Sequence, residues 1–148
     1  MKVFLFILII LFCKILFSNE LIIDSRGFFE NKEIEMQNGT KLVHYESKGN
    51  WSDNQNNYGR FECKGSLLVN KDGKRSDKEL VVCELEDVSG EVFWHIPRRS
   101  NSEWEAGVGK STIVSATSKY KKLIGRACVY AITYYKDTFH TKTKCSHS

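Results

Sequence analysis

The sequence predicts an all-β domain: a single antiparallel barrel or sandwich of roughly seven to eight strands, stapled by two hairpin disulfides. Three observations predict it. Apolar and polar residues alternate with a period of two from Thr40 onward; turn-forming residues recur at short intervals; and four cysteines are spaced so that each of two pairs is centred on a turn.

The first stretch lies outside that pattern. Met1-Lys2 precedes an apolar run, Val3 to Phe12, then Cys13-Lys14 and a short apolar piece ending at Ser18. A positive start, an apolar centre and a small residue before a polar turn are the layout of a secretory signal over 1–18, cut after Ser18. A membrane anchor would need roughly 18 or more apolar residues, and Lys14 interrupts the run too early. A lipid-modified Cys13 would require a small residue before it, and Phe12 stands there. Loss of 1–18 removes two lysines and no acid from a chain of 22 basic and 18 acidic residues. The remaining charge, about +2, is scattered among acids, which argues against a nucleic-acid partner.

The cysteines are the strongest signal. Outside the leader stand Cys63, Cys83, Cys128 and Cys145, an even set in an exported chain. Opposed residues of an antiparallel hairpin lie equidistant from its centre. The midpoint of Cys63 and Cys83 is Gly73, within Asn70-Lys71-Asp72-Gly73-Lys74, and Asp-Gly is a strong turn signal. The midpoint of Cys128 and Cys145 falls between Lys136 and Asp137, where a two-residue turn separates an apolar alternating run from a Thr/Phe-rich one. No spacing is the short C-x₂₋₄-C of zinc sites, so no metal is called. Nothing in the sequence calls for a cofactor.

Residues 19–39, with Leu21-Ile22-Ile23 and Phe28-Phe29, form an N-terminal arm or an extra strand; the barrel domain itself spans 40–148. Val43, Tyr45 and Trp51 share one face against His44, Glu46 and Lys48. Asp53 to Asn57 is a polar turn. Phe61, Cys63, Leu67 and Val69 alternate with Arg60, Glu62, Lys64 and Ser66; beyond Gly73, Val81, Cys83 and Leu85 do the same against Val82, Glu84 and Glu86. These are strands with one wet face. Asp87 to Gly90 turns into a strand from Glu91 to Ile96, which Pro97 is expected to end. A loop through Trp104, Gly107 and Gly109 leads to Thr112-Ile113-Val114, and a Lys-rich turn at Lys119 to Lys122 precedes the last hairpin, in which Cys128, Tyr130, Ile132 and Tyr134 share a face. With one proline to blunt edges, closure into a barrel is favoured.

The stretch from Ser115 to Tyr130, SATSKYKKLIGRACVY, resembles a strand–turn–strand signature of small barrels of the allene oxide cyclase type. Those carry Gly-Thr-Gly, an aromatic, a short basic or polar turn, then Gly and another strand. Here Ala116-Thr117-Ser118 stands at the triplet, with Tyr120 and Gly125 in place. The resemblance implies a closed, calycin-like antiparallel barrel and carries over no catalytic residue.

Chemistry-bearing motifs are sparse. Gly107 to Thr112 imitates a phosphate loop, but Trp104 occupies the position of its leading glycine and Thr112-Ile113-Val114 does not open a helix; a bend between strands is expected. The four histidines are too dispersed for a metal site, and the mature cysteines are committed to disulfides, which lowers the odds of an enzyme. The aromatic set is the best hint of function. Trp51, Trp94, Trp104, Tyr130, Tyr134 and Tyr135 could line a pocket mouth, with His95, Arg98 or Glu103 as polar contacts for a small, partly apolar ligand. Trp94 and His95 must face opposite sides of their strand. The alternatives are a structural or interaction module of the cell envelope with a filled core, and a cofactor-free isomerase or cyclase using His95 or Glu103. Asn38-Gly39-Thr40 and Asn50-Trp51-Ser52 are sequons.

Overall fold

A computed structural model describes residues 20–76, 78–99 and 106–146. The leader, Glu103, Trp104 and His147 lie outside them. The chain forms eight strands: β1 (Leu21–Glu35), β2 (Lys41–Asp53), β3 (Tyr58–Val69), β4 (Leu80–Asp87), β5 (Val92–Arg98), β6 (Ala106–Ala116), β7 (Ala127–Tyr135) and β8 (Thr138–Cys145). Each pairs antiparallel with its sequence neighbour, and β1 pairs with β8 from Leu21↔Cys145 to Phe28↔Thr138, closing the barrel. Residues 21–35 are thus a full barrel strand.

Turn chemistry explains the meander. Three hairpin tips share one device, an Asp or Asn whose side chain accepts backbone N–H groups two and four residues on. Asp53 serves Gln55 and Asn57; Asn70 serves Asp72 and Lys74; Asp87 serves Ser89 and Glu91. The residue before the last of these has positive φ in each: Asn56, Gly73 and Gly90. This is the type I turn closed by a left-handed residue that three-residue hairpin loops use.

Both disulfides form as the hairpin spacing predicts. Cys63 faces Cys83 and Cys128 faces Cys145 in the ladder registers, each pair with Cα atoms 4.0 Å apart. Each bridge closes one hairpin, and all four cysteines point inward. Such bridges belong to an oxidising compartment.

Two expectations about local structure are corrected. Pro97 does not end β5 but lies within it, opposite Ser111 of β6. It is tolerated because β4 stops pairing with β5 at Cys83↔His95, leaving an edge on which no N–H is needed. Gly107 to Thr112 is not a bend either. It belongs to β6, and its glycines make room inside the barrel: a Cβ on Gly109 would sit 2.4 Å from the Tyr130 ring, and one on Gly107 would press on Arg99. The Lys-rich segment after β6 is a 3₁₀ turn, Ser118–Leu123.

The core is the barrel interior. Val43, Tyr45, Trp51, Phe61, Leu67, Val81, Leu85, Phe93, Ile113, Tyr130, Ile132 and Phe139 are buried there together with the cystines. No helix among the described residues is long and apolar enough to cross a membrane.

Candidate functional site: a cavity on the barrel axis

Eight strands enclose a space that side chains nearly fill. What remains is a cavity of about 80 Å³. That is far below the roughly 300–1,000 Å³ of drug-sized ligand sites, and room for on the order of three to five water-sized groups. Its wall is mainly apolar, with Ile23, Phe61, Leu85, Phe93, Ile113 and Phe139 beside both cystines.

An aromatic lock closes one end. Trp51 is 2% exposed and its Nε1–H is shared by the carbonyls of Arg60 and Glu86, each at 3.1 Å. Phe93 and Tyr120 pack edge-on against it. Tyr120 and Leu123 come from the 3₁₀ turn, which Asp87 anchors: the carboxylate accepts from Tyr120 Oη at 2.8 Å and Lys119 Nζ at 2.5 Å. Burial alone would raise the Asp87 pKa. The donors Lys119, Ser89 and Tyr120 outweigh it and hold the group well below the usual carboxylate range.

A buried charged cluster stands at the other end. Arg75, from the β3–β4 connection, donates to Glu79 Oε2 through Nε at 2.9 Å and Nη2 at 2.5 Å. The backbone N–H of Arg99, just past β5, donates to Glu79 Oε1. Arg75, Glu79 and Arg99 are all buried, and burial together with the nearby Arg75 charge pulls the Arg99 pKa down. A buried pair of this kind is costly to break on one side.

Between the two ends, polar groups face the cavity. Tyr45, Tyr130 and Tyr134 line it with Arg75, His95, Ser47 and Ser111. Burial pushes the Tyr130 phenol up to about 12 and raises that of Tyr45 further. Burial also lowers His95 from 6.5 to about 4, so its imidazole is neutral at physiological pH. Some His95 surface stays accessible, but the ring lines the cavity rather than the outer wall. Ser111 is 3% exposed, and its Oγ has no hydrogen-bond partner among the described residues.

Of the residues singled out from sequence, the cavity brings together His95, Tyr130 and Tyr134. Trp51 is part of the aromatic lock and does not line the cavity. Trp94 and Arg98 do not join the site: strand alternation turns them outward, where Trp94 Nε1 donates to Glu84 Oε2 at 2.9 Å and Arg98 is exposed. Glu103 and Trp104 lie outside the described residues. Sequence reasoning passed over Ser111, Tyr45, Arg75, Glu79 and Arg99. Ser111 and Tyr45 were within reach by parity with Ile113 and Val43; the three charged residues carry no local signal of burial. No family model, curated protein or solved structure matches this chain.

Proposed function

We propose that this chain is an exported, periplasmic or secreted, small-ligand-binding barrel whose site is the interior cavity. One observation carries the reading: a mostly apolar cavity into which a buried, unpartnered hydroxyl, Ser111 Oγ, is turned. Buried polar groups are almost always satisfied, and one left unmade costs about 1–3 kcal/mol. A wall that is apolar except for a few placed polar groups is the make-up of small-molecule sites. The volume limits the ligand to a compact molecule. Xenon, which enters dry apolar cavities, tests the reading: titration followed through the methyl resonances of Ile23, Ile113 and Ile132 is expected to give saturable shifts. Shifts that rise linearly on all surface methyls alike would remove the cavity as a site.

A second reading, a protein-interaction module, draws on a different feature. β1 outruns β8, so Glu30 to Glu35 pair with β2 alone. Phe29 N–H donates to Asp137 O on the β8 side, which sets Asn31, Glu33 and Glu35 to present their backbone groups to the open edge. Ile34, Leu42 and Leu68 form an aliphatic row on the outer face beside it. Such an edge accepts an added strand from a partner. A Pro substitution at Glu33 that leaves the melting curve intact but abolishes partner capture would favour it.

A further inference from the structure

The cavity wall also constrains the chemistry of its occupant. His95 on β5 and Ser111 on β6 both face inward on adjacent strands. Ser111 stands opposite Pro97, two residues along from His95, and this diagonal relation separates backbones by roughly 7–8 Å. Neither group is engaged by the protein: no hydrogen bond to the His95 ring exists among the described residues, and Ser111 Oγ has no partner. Both side chains line the same cavity. A neutral imidazole offers one N–H and one bare nitrogen, and a serine hydroxyl both donates and accepts. A hydroxyl satisfies both at once without carrying a charge, giving its proton to one and accepting from the other. A carboxylate can also engage both, accepting from the imidazole N–H and the serine O–H. It would, however, carry its charge into a wall where burial outweighs the nearby Arg75, as the raised Tyr45 and Tyr130 phenols indicate.

Resting on the reading that the cavity is a binding site, we propose that it takes a short, uncharged aliphatic alcohol of roughly three to five non-hydrogen atoms. Its hydroxyl bridges Ser111 Oγ and the His95 ring. Its hydrocarbon end lies against Ile113, Phe93 and Leu85.

The test uses the oxidised full chain and three probes at pH 7: xenon, 1-butanol and butyrate, each followed by methyl and amide NMR shifts. Saturable 1-butanol binding at the cavity resonances, at least tenfold tighter than butyrate, is expected. Ser111→Ala should weaken 1-butanol three- to tenfold, the worth of one net hydrogen bond, and leave xenon unchanged. If xenon binds but butyrate equals or exceeds 1-butanol, or Ser111→Ala leaves the alcohol unaffected, the alcohol assignment fails while the binding cavity stands. Xenon binding with no alcohol binding also overturns it, with water filling the polar corner. If xenon does not bind, both readings fall together. The butyrate comparison needs no variant, so a poorly folding Ser111→Ala chain leaves the assignment open to refutation.

Discussion

Replacing His95 with leucine should erase most of the pH dependence of stability between pH 6.5 and pH 4. The unfolded chain binds a proton at this histidine with its ordinary value of 6.5, whereas the folded chain does so only at about 4. Between those values the unfolded state holds more protons, so stability falls as pH falls. The contribution is fully present above pH 6.5, declines by about 1.4 kcal/mol per pH step, and is exhausted below about pH 4. Its full size is at most about 3 kcal/mol, because the ring keeps some accessible surface along the cavity. His44 and His140 sit on the outer wall beside Glu46 and Asp24 and remain in both proteins, so the comparison isolates His95. The carboxylate with the deepest depression, Asp87, acts in a separate window: its stabilisation is present above 3.8 and is lost as pH falls below that. Urea unfolding of both chains from pH 8 to pH 4, with m-values compared, reads the effect directly. The wild-type midpoint should fall steeply between pH 6.5 and pH 4 and that of His95→Leu should stay nearly level. Parallel curves would show that His95 is not held neutral by burial.

Two further outcomes follow from the same structure. Asp87→Asn keeps the shape of the anchor under the 3₁₀ turn but removes the charge that Lys119 and Tyr120 bind, and should cost about 3 kcal/mol; a loss under about 1 kcal/mol by thermal melting would mean that aromatic packing alone closes that end. Lys136→Gly should stabilise by about 0.5–1 kcal/mol, since Lys136 holds a left-handed φ of 56° in the last hairpin; a lowered urea midpoint would show that the contact of Lys136 with the Tyr135 ring outweighs backbone strain.

Strand parity and turn chemistry made most of the fold legible. The inward rows of β2, β3, β4 and β7 follow from alternation, and the two cystines follow from symmetry about Gly73 and the Lys136-Asp137 turn. Alternation also separated His95 from Trp94. It failed where glycine interrupts it: the run through Gly107 and Gly109 has too few side chains to show a period, and its glycines exist to admit Arg99 and Tyr130 from elsewhere in the chain. Pro97 misled because its consequence depends on whether a neighbour pairs there, a property of β4 rather than of β5.

The sequence by itself therefore determined the fold class, the disulfide pairs and the face on which most strand residues lie, because each depends on contacts between chain-adjacent strands whose spacing is written locally. Only the tertiary structure decided that β1 and β8 meet and close the barrel, that the interior is almost filled, and that Trp51, Phe93 and Tyr120 gather at one end and Arg75, Glu79 and Arg99 at the other. These are contacts between residues far apart in the chain. Whether a charged side chain is buried, or a hydroxyl left without a partner, depends on what all eight strands bring to the axis together, and no single stretch of sequence carries that information.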